Sequence, residues 1–165
     1  MQVPLARDAP MDLAREEWVR ACEASYPKVY RALVAIGASP EDAADALQDA
    51  FEDALRHLDT VARPEGWLFV VAIRAWKRHR WRARLFRPLG ALRRAASAPE
   101  REDEIDLFVE LAKLTERQRE VVVSRYVLGL SQAEIADALD IAPGTVAATA
   151  HQATAILRQR LLGGR

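Results

Sequence analysis

Arg74, Lys77, Arg78 and Trp81 stand at positions i, i+3, i+4 and i+7, one face if the segment is helical. They belong to the run Trp76-Lys77-Arg78-His79-Arg80-Trp81-Arg82-Ala83-Arg84, which carries no apolar stripe and is therefore expected at the surface. Cations at this density can neutralise phosphates. Trp76 and Trp81 can stack on unpaired bases, at about 1–3 kcal/mol per base. The chemistry implied is capture of a polyanion with accessible bases, by Arg74, Lys77, Arg78, Arg80, Trp76 and Trp81. The competing reading is a solvated basic helix whose tryptophans pack on a neighbour.

The charge distribution agrees with capture. The 165 residues hold 24 basic and 24 acidic side chains, so the net charge is zero. Residues 1–62 nevertheless carry a net −6, residues 63–94 a net +9 and residues 95–165 a net −3. A basic block between two acidic ones points to a polyanion-binding segment in mid-chain. The flanking acidic patches also allow a closed state in which they screen the basic helix.

Several classes of function are excluded. One cysteine, Cys22, leaves no disulfide framework and no multi-cysteine metal site, and it fits a reducing compartment. His57, His79 and His151 have no carboxylate or thiol nearby in sequence, and no glycine-rich phosphate loop exists. No metal, no cofactor and no enzymatic activity are expected. The longest apolar run, Trp67 to Ile73, is too short to span a membrane, and no signal peptide is visible. A cytoplasmic protein without membrane insertion is expected.

The elements that must position these residues read as helices throughout. Ala, Leu, Glu, Arg and Gln dominate, and no alternating strand pattern persists. The first ten residues, with Pro4 and Pro10, are expected to be disordered. A helix follows from about Asp12 to Ser25. Pro27 opens a continuation or a second helix that stops at Gly37. Ser39 caps the next helix, Pro40 takes its first position, and Ala43, Ala46, Leu47, Ala50 and Phe51 form its apolar face. Its other face is acidic, with Glu41, Asp45, Asp49 and Glu52. Pro64 starts the helix that becomes basic at Trp76. Residues 87–104, holding Pro88, Gly90, Ser97, Pro99 and an acidic run, read as a linker.

Beyond the linker, Thr115 with Gln118 and Ser131 with Glu134 form two capping boxes. The first opens a helix from Glu116 to Leu128, ended by Gly129. The second opens a short helix ending at Leu139. A three-residue turn, Asp140-Ile141-Ala142, leads to a final helix from Pro143 to about Leu162. This is a helix-turn-helix pattern, with a plain helical hairpin as its rival. Val146, Ala150, Ala153, Leu157 and Leu161 are the expected buried stripe of the last helix. Thr145, Ala148, Thr149, Gln152 and Gln159 are then its exposed face. No Lys or Arg lies between Pro143 and Arg158, so counterion release adds nothing there and this helix alone should hold DNA weakly.

Glu41-Asp42-Ala43-Ala44-Asp45-Ala46-Leu47-Gln48-Asp49-Ala50-Phe51, followed by Pro64-Glu65-Gly66-Trp67-Leu68, resembles region 2 of bacterial extracytoplasmic-function sigma factors. Leu114-Thr115-Glu116-Arg117-Gln118-Arg119-Glu120-Val121-Val122, with Gly129-Leu130-Ser131, Ala133-Glu134-Ile135-Ala136 and Gly144-Thr145-Val146, resembles their region 4. The resemblance covers about residues 15–162. It implies an all-α fold of two small helical domains: region 2 over 12–86, a linker over 87–104 and region 4 over 105–163. It also implies a promoter-directing subunit of RNA polymerase. Asp45, Gln48, Asp49 and Phe51 fall on the polymerase-docking segment, and the loop Asp59 to Gly66 falls where a flipped −10 base is held. Arg74, Lys77, Arg78 and Arg80 fall on the −10 melting helix, and Thr145, Thr149, His151 and Gln152 fall on the −35 helix. Core RNA polymerase and promoter DNA are the implied partners, with an anti-sigma factor commonly alongside.

The sequence departs from the family at three places, the mildest being Asp140, which stands where a turn glycine is usual and tolerates left-handed geometry. Arg74 and Arg78 stand where the family commonly has Asn and a downstream Asp. The last helix has Ala147, Ala148, Thr149, Gln152 and Thr154 where Lys, Ser and Arg are usual. Two alternatives follow: a sigma-like co-regulator without normal −35 recognition, and a helical interaction module with no polymerase role.

Overall fold

A computed structural model describes residues 11–56, 64–86 and 102–163. Among these residues the order is α1 (Met11–Ile36), α2 (Pro40–Arg56), α3 (Pro64–Phe86), α4 (Glu102–Ala112), α5 (Glu116–Val122), a π-helical turn (Val123–Val127), α6 (Gln132–Leu139) and α7 (Pro143–Gly163). The flipped-base loop (except for Pro64 to Gly66), most of the linker, the first ten residues and His57 lie outside the described residues.

The first lobe is α1, α2 and α3. Val29, Leu33 and Ile36 of α1 meet Ala43, Ala46, Leu47 and Ala50 of α2 and Leu68, Phe69, Ala72, Ile73 and Trp76 of α3. The small side chains of α2 let its axis come close to the other two. Ser39 accepts from the Asp42 amide at 3.0 Å and Gly37 takes φ 114°, so start and stop signals act where they were read. Pro27 does not divide α1: the helix continues through it, losing one backbone hydrogen bond.

The second lobe stacks α5, α6 and α7, with Leu111 and Leu114 beside them. Both capping boxes form. Asp140 closes α6 in the left-handed region, φ 53° and ψ 54°, a conformation that its short polar side chain tolerates. Its neighbour Ile141 donates to the Ala136 carbonyl at 3.0 Å, and Gln132 donates to the Pro143 carbonyl at 2.6 Å, fixing the angle between the two helices. The helix after Thr115 is not α-helical to Leu128, as its periodicity suggests. It passes at Val123 into the π-helical turn, where Leu128 reaches back to the Val123 carbonyl. Buried Ser124 turns its hydroxyl onto the Glu120 carbonyl at 2.6 Å, a local competition that distorts helices.

The two lobes share one continuous apolar core. Helix α1 touches α4, α5 and the π-helical turn, and α3 lies on α6. Gly66 sits at this seam: a methyl there would stand 3.0 Å from Leu130 Cδ2 and 3.6 Å from Glu134 Oε1. The close approach needs the missing side chain.

Candidate nucleic-acid interface

Helix α3 is apolar through Ile73 and then carries its cations on turns that face the second lobe. Arg74 donates to the Asp137 backbone carbonyl at 2.7 Å and to its Oδ2 at 3.0 Å. Lys77 meets Glu120 at 2.7 Å. Arg80 holds both oxygens of Glu116, at 2.7 and 2.8 Å, and lies over the Trp76 ring at 5.0 Å. These are charge-assisted bonds, and at Arg80 the one Nη2 is shared between both carboxylate oxygens of Glu116. Among the described residues Arg78 and Arg82 are exposed and have no carboxylate partner.

The pairs differ in strength. Arg74 and Asp137 are both well exposed, so their pair contributes tenths of a kcal/mol. Glu120 is 1% exposed and also meets Arg117 at 3.3 Å, whose guanidinium donates to the Leu139 carbonyl. Removing a partner from such a buried carboxylate costs about 3–5 kcal/mol when it is the sole partner, and less while Arg117 remains.

The two tryptophans of the basic segment separate. Trp81 is 64% exposed, as stacking on a base requires. Trp76 is 2% exposed and belongs to the core. The expectation that it stacks on a base is therefore corrected. The expected exposure from Trp76 onward holds for Arg78, Trp81 and Arg82 but not for Trp76, Lys77, His79 and Arg80, which are buried or half-buried where α3 lies between α2 and the second lobe. Trp67 is half-buried and meets Trp18 edge-on at 5.9 Å, within a small cluster around buried Cys22. Burial pushes the Cys22 thiol up to about 11, which makes it a packing group.

The acidic face of α2 stays open. Asp45 and Gln48 are exposed, while Phe51 is half-buried and stacks on Tyr26 at 6.0 Å. Asp49 has a partner that local sequence does not reveal: His79 Nε2 lies 3.0 Å from its Oδ2, across the α2–α3 contact. On α7, Thr145, His151 and Gln152 are exposed and Thr149 is half-buried. The buried stripe is Val146, Ala150, Ala153 and Leu157. Leu161, expected within it, is 49% exposed, because α7 extends past the body it packs on. The residues that sequence reasoning missed are Glu116, Glu120 and Asp137. No charge signal announced them, because residues 105–165 carry seven basic and seven acidic side chains and the net −3 of residues 95–165 comes from the acidic run at 100–104.

The pattern of Sigma-70 region 2 matches residues 21–85, and that of Sigma-70, region 4 matches residues 107–157. No curated protein matches the chain by overall sequence. Among solved structures, it is similar to the sigma factor RpoE in complex with the anti-sigma factor NepR from Bartonella quintana. That likeness has 19% identity and a TM-score of 0.75, covering 91% of this chain and 99% of that one. It is also similar to CnrH in complex with the cytosolic domain of CnrY, at 23% identity and a TM-score of 0.56, covering 92% of this chain and 98% of that one. At these identities the likeness establishes the shared fold. With both regions matched in order along most of its length, the chain belongs to the sigma-70 family, in its extracytoplasmic-function group.

Proposed function

We propose that this chain carries core RNA polymerase to promoters, with α2 docking on polymerase, α3 capturing the separated strand of the −10 element and α7 entering the −35 element. The observation that carries the reading is the basic run of α3, Arg74, Lys77, Arg78 and Arg80, beside the exposed Trp81. Phosphates bind the cations and one unpaired base stacks on Trp81. Asp45, Gln48, Asp49 and Phe51 form the polymerase-docking set. Thr145, Thr149, His151 and Gln152 form the −35 set, in which Gln152 can bond an adenine edge and a Thr methyl can touch a thymine methyl. Two structural neighbours are complexes of the kind their names describe, one with an anti-sigma factor, so an anti-sigma partner belongs to the proposal.

Core polymerase binding followed by run-off transcription from a promoter library tests this reading. A promoter-dependent transcript is expected, and absence of core binding overturns it. The neutral face of α7 favours a second reading, a co-regulator that binds polymerase without reading a −35 element. Core binding without a transcript would support that one.

A further inference from the structure

We infer that His79 is a positioning residue for polymerase docking: it fixes the carboxylate of Asp49 on the acidic face of α2, and docking weakens when its imidazole takes up a proton. The inference deepens the function proposed above and rests on it for the identity of the docking partner. Glu41, Asp45, Asp49 and Glu52 line that face of α2. Asp45 and Glu52 are exposed and meet no cation among the described residues. Asp49 is held from α3, with His79 Nε2 at 3.0 Å from its Oδ2. Both side chains remain partly open, His79 at 37% and Asp49 at 42%. The carboxylate is thus anchored through one oxygen and can present the other to an arriving cation.

His79 stands within the basic run of α3, yet it turns away from the second lobe, which engages Arg74, Lys77 and Arg80. A neutral imidazole with its proton on Nε2 orients the carboxylate and leaves its charge whole. An imidazolium orients it and cancels that charge. A cation of the docking partner then meets a carboxylate that already has a counterion. The reciprocal effect has the same sign: a cation docked beside the imidazolium favours loss of its proton. Affinity therefore rises with pH through the range in which histidines titrate. The other charges near the ring are accounted for. On α2, Asp45 and Asp53 stand one turn to either side of Asp49, and Asp53 meets Arg56. On α3, Arg78 and Arg80 adjoin His79 and Arg82 follows three residues later. From α5, Glu116 is taken by Arg80. From α1, Lys28 is taken by Glu65, at the start of α3. Asp49 is the carboxylate on which the ring's charge acts directly.

The test measures binding of the full chain to immobilised core RNA polymerase at about pH 6 and about pH 8, at one ionic strength. His79→Gln keeps an N–H donor at similar reach and cannot take up a proton. It is expected to match wild type within about twofold at the higher pH and to bind roughly three- to fivefold more tightly than wild type at the lower one, the range a partly exposed pair can carry. His79→Ala loses the anchor and should bind severalfold more weakly than wild type at the higher pH. The melting temperatures of both variants should stay within a few degrees of wild type, because the pair is partly exposed. An identical pH dependence in wild type and His79→Gln, or wild-type affinity of His79→Ala at the higher pH, overturns the positioning role and leaves docking through α2 standing. If no protein binds core polymerase at either pH, the sigma-factor reading falls and this role falls with it.

Discussion

The two helices offered to nucleic acid, α3 and α7, are built on opposite plans. Helix α3 concentrates cations and gives most of them to the neighbouring lobe, leaving Arg78, Arg82 and Trp81 free among its described side chains. Helix α7 is neutral from Pro143 to Arg158 and shows Thr145, His151 and Gln152 openly. A charged face attracts any polyanion, from any direction, and is the one that needs covering. A neutral face can stand open because it gains little until base edges are presented to it. Affinity and exposure are thus traded against each other within one chain.

The largest expected effect separates the two tryptophans of α3. Trp76→Ala should lower unfolding stability by about 3–5 kcal/mol, read from urea midpoints, because it empties a core site. Trp81→Ala should leave that midpoint nearly unchanged and weaken binding to an unpaired base by about 1–3 kcal/mol. Next comes the salt dependence. Arg78→Ala with Arg82→Ala should reduce the slope of log affinity against log salt by about one unit per lost phosphate contact, while Gln152→Ala should not change it. Equal slopes would break the contrast between the helices. The smallest effect lies in the turn between α6 and α7. Asp140→Gly should stabilise the fold by tenths of a kcal/mol to about 1 kcal/mol, because glycine takes φ 53° without strain. A melting curve would detect it, and a loss of stability would show that the Asp140 side chain matters more than its backbone.

Local signals were legible and distant ones were not. Ser39, Thr115, Ser131, Gly37 and Gly129 announced the ends of helices because capping is decided within four residues. The helix-turn-helix was readable for the same reason. The partners of α3 were hidden, because Arg80 and Glu116, or Arg74 and Asp137, are joined only by the fold. Trp76 and Trp81 look alike in sequence. The core takes in one and not the other, and no periodicity within α3 encodes a neighbour's position. The π-helical turn was equally invisible: the bond from the Ser124 hydroxyl to the Glu120 carbonyl beside it also forms at Ser25 in α1 and Thr154 in α7, where the helix stays α.

That turn has a consequence for insertions and deletions. A π-helical turn holds one more residue than the α-helical turn it replaces, and each residue of an α-helix rotates the chain by about 100°. Excising Tyr126, an exposed side chain within the turn, would let that turn close as an ordinary α-helical one, with the following segment leaving at the same angle. Leu128 and Leu130 would then keep their places in the core, and Leu130 its seat over Gly66. A single codon lost at this point should cost less than one lost elsewhere in the same helix, because only here does the helix hold a residue to spare.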